Sequence, residues 1–271
     1  MKFIQFYKNG GPALGAESGR GFVDVASIDA SMPSTLLELV QNGYRADELS
    51  KYLSKAPIID ESNITYAPVI QGMEKIICVG LNYSDHAKEC NAELPVDPTI
   101  FCKFANAIAA HKQDIVLPKN AHTFDYEAEL VIIAGPNGSI WGYTIGNDLS
   151  IREWQKKTSQ WLLGKTYDSF APIGPVAVDA DSIDADNLGV MTRVNGEVRQ
   201  NSSTNKMIFS CRQLVDYINN YIPLKAGDII FTGTPHGVAM GYPAEADAWL
   251  KSGDVVEVEI ENIGILCNQF V

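Results

Sequence analysis

Apolar residues in this chain come in short, β-branched blocks punctuated by Gly and Pro. Their spacing predicts strands over 76–79, 99–104, 114–117, 127–134, 140–145, 173–178, 190–194, 228–232 and 255–260. Helical spacing is rarer and predicts helices near 83–91, 149–161 and 206–220. Before residue 75 the texture differs. Residues 1–7 alternate like a strand, 9–21 form a Gly/Ala-rich hairpin or loop, and 21–25 return as a second strand. Ser34 is placed to cap a helix over 35–41 that ends at Asn42 and Gly43, and 46–53 reads as another short helix. Many strands without regular strand–helix alternation predict a strand-rich α+β fold, not a doubly wound parallel sheet. The change of texture divides the chain into a small N-terminal accessory domain, 1–72, and a larger domain, 73–271, which holds every chemical constellation.

The sharpest change from polar to apolar lies at 125–135, where Asp125, Glu127 and Glu129 lead straight into Leu130-Val-Ile-Ile133. A strand has a side-chain period of two, so Glu127 and Glu129 share a face. Two carboxylates side by side on a half-buried strand repel each other and lose hydration. A divalent cation offsets both costs, and an all-oxygen site selects Mg²⁺, Mn²⁺ or Ca²⁺ over zinc. Asp148, just after the next apolar run, is placed to supply a third carboxylate. The alternative is an exposed strand end paired with Lys or Arg.

Other patterns add candidates. His86 and Glu89 are three apart, hence neighbours on a helical face, where the carboxylate orients the imidazole as a general base; an ordinary surface pair gives the same spacing. Lys103 interrupts an apolar strand and either snorkels outward or faces an internal anion. Arg152 and Gln155 share a helical face able to reach one ligand, or to lie in solvent. Gly164-Lys-Thr166 ends like a phosphate-binding loop, but Ser159 stands where that motif needs Gly, so nucleotide binding is rejected. Lys165 remains as a cation near the carboxylates, a counter-charge or a polariser of a substrate carbonyl. The Gly/Pro loop 233–237 can aim backbone N–H groups and the Thr234 hydroxyl at an anion, or serve structure alone. His111, His122 and His236 have no evident partners and read as surface or loop residues.

Bulk properties narrow the class. A net charge of −12 argues against a nucleic-acid or anionic-membrane surface, though not against a local cationic pocket. No apolar run approaches a membrane span, and the N-terminus lacks a signal-peptide pattern. Five scattered Cys without C-x-x-C pairs read as reduced thiols, and with them a cytoplasmic location is expected.

Taken together, nine stretches in register resemble the fumarylacetoacetate hydrolase family, above all its smaller acylpyruvase-like members. They include Gly80-Leu-Asn-Tyr with His86 and Glu89, Tyr126-Glu-Ala-Glu-Leu130, and Gly142 through Arg152 with Gln155. Gly164-Lys-Thr-Tyr-Asp168, Ala171-Pro-Ile-Gly-Pro175 and Gly227 through Val238 continue the match. The resemblance spans roughly 73–271. It implies a mixed β-roll, a homodimer, and Mg²⁺ or Mn²⁺ held by Glu127, Glu129 and Asp148, with Ca²⁺ as a substitute. His86 and Glu89 are then the pair on a lid helix that activates water, and Lys165 lies near metal and substrate. Lys103, Arg152, Gln155 and Thr234 become substrate contacts. One stretch departs from the pattern: after Lys103 the chain reads Phe104-Ala-Asn106, without the usual Pro and hydroxyl-bearing turn. The activity implied is hydrolysis of a C–C bond in a β-diketo acid such as an acylpyruvate. Alternatives are decarboxylation of oxaloacetate, isomerisation of an unsaturated 2-keto acid, or a catalytically silent binding protein.

Overall fold

In the run Leu130–Ile133, Leu130 and Ile132 pack into one apolar cluster and Val131 and Ile133 into another, so both faces of this strand are covered. That is why its sequence is continuously apolar instead of alternating. The computed structural model describes residues 1–29, 31–44, 46–53, 56–89 and 92–271.

Ten strands form the main sheet. They are β1 (Lys2–Lys8), β2 (Gly11–Glu17), β3 (Phe22–Asp24), β4 (Ile76–Gly80), β5 (Thr99–Lys103), β6 (Ile108–Ala109), β8 (Ala128–Ala134), β9 (Ile140–Asn147), β11 (Ala171–Asp179) and β14 (Ile229–Phe231). Their order is β3-β2-β1-β11-β9-β8-β14-β4-β5, with β6 on β11; the β14–β4 and β11–β6 pairs are parallel and the others antiparallel. A second, antiparallel sheet runs β13 (Glu197–Ser203), β12 (Gly189–Val194), β15 (Val255–Ile260), β16 (Gly264–Gln269). Between the two lies the larger core, with Leu130, Ile132, Val190, Val258 and Leu266 among its members. The far face of the main sheet is covered by α1 (Leu36–Gln41) and α2 (Ala46–Leu53), which contribute Leu36, Leu39, Leu49 and Leu53 to the other cluster. The fold is strand-rich α+β with mixed sheets, as the pattern of blocks predicts.

Several expectations need correction. The sheet runs across the expected boundary at 72/73, because β1 pairs with β11 (Lys2 opposite Val178). The Gly/Ala-rich segment is a strand: Asn9 and Gly10, both at positive φ, make the tight turn that folds β2 back on β1. The expected strand at 114–117 reduces to one bridge between Ile115 and Phe270. β13 and β16 escaped the pattern because the fully buried members are Gln200 in the first and Leu266 and Asn268 in the second. The expected helix 149–161 is divided. A short strand, β10 (Ser150–Ile151), pairs with β7 (Phe124–Asp125), and only α4 (Arg152–Gln155) and α5 (Leu162–Lys165) are helical. The Ser150 hydroxyl donates to the Asp148 carbonyl. The helix expected over 83–91 is α3 (Ser84–Glu89), with Cys90 and Asn91 outside the described residues. Near 206–220 the helix is α6 (Cys211–Tyr221), opened by a reciprocal Ser210–Gln213 capping box. No described helix is long and apolar enough to cross a membrane.

Candidate metal and acid–base site

Pairing of β8 with β9 brings the acids together. Glu127 precedes β8, and its carbonyl accepts from the Asp148 N–H just past β9 at 2.9 Å. Glu129 lies opposite Gly146, where a Cβ would meet the Phe231 and Val131 side chains at 2.5 Å, so the missing side chain makes room for those two. Among the described residues, Glu127, Glu129 and Asp148 are the group whose ligand atoms all lie within 4.8 Å of one another, and all three are buried.

The shared face expected of Glu127 and Glu129 is a shared cleft; the alternative, an exposed strand end, does not apply. Its cationic partners do. Arg152 Nη2 donates to Glu127 Oε1 at 2.6 Å, and Lys165 Nζ reaches Glu127 Oε2 at 2.6 Å and Asp148 Oδ2 at 2.9 Å. Burial pushes the Glu127 carboxyl up, but Arg152 and Lys165 outweigh it and bring it to about 2. Burial also pushes Glu129 up, and here Asp148 and Glu127 add repulsion that Lys165 and the Gly233 N–H (2.7 Å) only partly relieve. The two neighbours therefore differ because only Glu127 has two cations in contact.

A dication fits this set. The donors are all oxygen, the repulsion at Glu129 is of the kind such a charge removes, and Asp148 Oδ1 is buried without a hydrogen bond. Lys103 Nζ lies 2.7 Å from that oxygen, yet it directs its protons to the carbonyls of Leu149 (2.9 Å), Phe170 (2.8 Å) and Lys165. Lys103 and Asp148 are thus a buried ion pair. This corrects the expected substrate role of Lys103: it is buried behind the carboxylates, tying α5 to the residues just before β10 and β11.

His86 and Glu89 meet as expected, with Nδ1 2.8 Å from Glu89 Oε2. Glu89 is held from the other side by the Gly237 N–H, 2.9 Å from Oε1. The pair, Glu127, Glu129, Arg152, Gln155, Lys165 and Thr234 line one cleft of about 370 Å³, walled on its apolar side by Phe101, Trp161 and Met240. Thr234 accepts from Gln200 Nε2 at 2.9 Å, which leaves its hydroxyl proton to donate elsewhere. Gly164 sits 2.5 Å (as a notional Cβ) from the backbone of Ile151 and Gln155, so Gly sets the close crossing of α4 and α5 that places Lys165.

Two residues of this site were not singled out from sequence. Asp125 is fully buried; it accepts from Arg152 Nε (2.7 Å) and from the backbone N–H groups of Ala239 (2.6 Å) and Met240 (3.1 Å). Gln200 ties Thr234, Pro235, Thr192 and the Ala128 N–H together. The other histidines also need correction. His236 pairs with Asp85 at 3.0 Å, and His111 is half-buried, edge-on to Tyr66 with Nδ1 accepting from the Cys267 N–H at 3.1 Å. His122 is exposed as expected.

The family model described as fumarylacetoacetate (FAA) hydrolase C-terminal matches residues 75–271. Oxaloacetate tautomerase FAHD2A, mitochondrial, of Bos taurus is 37% identical over 290 residues, covering 100% of this chain and 92% of its own. Fumarylacetoacetate hydrolase from the psychrophile Exiguobacterium antarcticum superposes with a TM-score of 0.88 at 34% identity, covering 100% of this chain and 99% of its own. Fumarylpyruvate hydrolase from Pseudomonas aeruginosa, in complex with Mn²⁺ and pyruvate, gives 0.66 at 28% identity over 79% of this chain and 94% of its own. The cytoplasmic location expected from the sequence is overturned, since the bovine, human and Xenopus laevis relatives are named as mitochondrial.

Proposed function

The chain belongs to the fumarylacetoacetate hydrolase family of enzymes, and on that premise we propose that it tautomerises a small 2-keto acid of the oxaloacetate type. The observation that carries this reading is one cleft lined by the pair His86 and Glu89 and by Glu127 and Glu129, with Asp148 within 4.8 Å of those two glutamates. The whole-length likeness to an oxaloacetate tautomerase supports it. Mg²⁺ or Mn²⁺ at Glu127, Glu129 and Asp148 supplies, when bound, Lewis-acid charge to the keto-acid end of the substrate. Glu89 on Nδ1 fixes the imidazole tautomer and leaves Nε2 as the basic nitrogen. That nitrogen takes the proton from the enol oxygen and returns it to the neighbouring carbon; no bond between heavy atoms breaks. Thr234 donates its hydroxyl proton to the carboxylate end of the substrate, while Arg152 and Lys165 offset the charge of the acids around it. The proposal includes a homodimer, and no nucleic-acid or membrane partner.

A second reading is hydrolysis of an acylpyruvate, with the same base activating water. The apolar wall of Phe101, Trp161 and Met240, able to take an acyl group, favours it. Enol-oxaloacetate with Mg²⁺, followed by loss of enol absorbance, tests the first reading. Acceleration over Mg²⁺ alone is expected; its absence sinks the reading. Pyruvate released from an acylpyruvate panel selects the second, CO₂ from oxaloacetate selects decarboxylation, and ligand binding without turnover selects a binding protein.

A further inference from the structure

Three cations line the cleft, Arg152, Lys156 and Lys165, and two of them are already committed. Arg152 contacts Asp125 at 2.7 Å, Glu127 at 2.6 Å and Gln155 at 3.0 Å. Lys165 contacts Glu127 at 2.6 Å and Asp148 at 2.9 Å. Lys156 differs: its side chain is exposed, and among the described residues it has no ion pair and no side-chain hydrogen bond. It directly follows Gln155, and its N–H closes the last turn of α4 on the Arg152 carbonyl at 3.1 Å. Residues four apart on a helical turn share a face, so the buried cation and the uncommitted one lie one above the other. The first addresses the carboxylates at the floor. The second stands at the mouth of a cleft walled by Phe101 and Trp161 in edge contact (5.3 Å between centroids), rings that offer an anion no donor.

We propose that Lys156 is a specificity residue that binds the distal carboxylate of a dicarboxylic keto acid whose reacting end lies at the triad. The inference rests on the keto-acid reading of the cleft, but it concerns recognition and not which bond changes. A solvated rim lysine is the plain alternative, and the two differ in what they predict for ligands with and without a second carboxylate.

Malate and 2-hydroxybutyrate share a four-carbon skeleton and differ at the far end, carboxylate against methyl. Calorimetry on the Mg²⁺-loaded protein compares their Kd values. Wild type is expected to prefer malate by about tenfold, the size of a hydrogen bond to a charged group in a cleft. Lys156→Met, which keeps the apolar stem, is expected to remove that preference and leave 2-hydroxybutyrate binding unchanged; Lys156→Arg is expected to restore it. A preference that survives Lys156→Met, or is absent in wild type, overturns the proposal. If malate is preferred through Lys156 while oxaloacetate is not tautomerised, the reaction fails and the recognition stands.

Discussion

Gly241 lies against Glu89 so closely that a Cβ built on it would stand 2.0 Å from Oε1 of that carboxylate. Its φ is not in the left-handed region, so Gly is required there by the contact and not by the backbone. The loop grips Glu89 twice, by the Gly237 N–H and by the space left at Gly241. Gly241→Ala is expected to push Glu89 off His86, lowering kcat about tenfold or more while Mg²⁺ affinity stays within twofold. Unchanged kcat with the alanine in place would show that the grip does not matter to catalysis.

His86, the proposed base, has a larger expected effect. His86→Ala is expected to lower turnover by about 10²-fold or more with little effect on thermal stability, the usual size of a general-base contribution. Turnover that persists within a few-fold of wild type would assign proton transfer to another group.

For the carboxylates, Glu129→Gln removes a charge without changing shape. Calorimetric Mg²⁺ affinity is expected to fall by at least ~10-fold, the lower bound seen even for outer-shell partners. Circular dichroism is expected to stay native. Full affinity in the variant would remove Glu129 from the ligand set.

Asp125→Asn tests the buried acid that sequence alone did not single out. An amide accepts on one atom only: with its oxygen at Oδ1 the Arg152 Nε–H and Met240 N–H lose their acceptor, and with it at Oδ2 the Ala239 and Tyr126 N–H groups do. The expected cost is about 1–3 kcal/mol of stability, read by urea denaturation. Wild-type stability would mean the loop finds other partners.

His111 gives a pH dependence away from the site. Burial, with Lys112 nearby, brings its imidazole down to about 4 from 6.5. The unfolded chain then binds the extra proton first, so stability is intact above pH 6.5 and falls as pH drops from there toward 4. His111→Gln is expected to flatten the Tm profile across that window and leave it unchanged above pH 7. An equal slope in both proteins would place the acid sensitivity elsewhere.

What the sequence disclosed was local. Glu127 and Glu129, two apart on a strand, and His86 and Glu89, three apart on a helix, met as their periods require. Asp125 and Gln200 carried no such sign, because Asp125 meets Arg152, Ala239 and Met240 from 27 to 115 residues away, and Gln200 meets Thr234, Pro235 and Ala128 from 34 to 72 away. Lys103 was visible as a lysine inside an apolar strand, but the three carbonyls that absorb its protons come from three different segments. The helix expected over 149–161 failed for a similar reason: contact between Gly164 and the backbone of Ile151 and Gln155 outweighs local helical preference.

β14 is only three residues long, yet it is wedged between β4, which leads to α3 with His86 and Glu89, and β8, which carries Glu129. During synthesis, β4 and β8 therefore have no neighbour in common until residue 231 has left the ribosome. A nascent chain that has already paired β8 with β9 still lacks the strand that seats the His86–Glu89 pair beside the acids. A chain cut short before β14 can thus gather the three carboxylates but has nothing in this sheet to join them to α3.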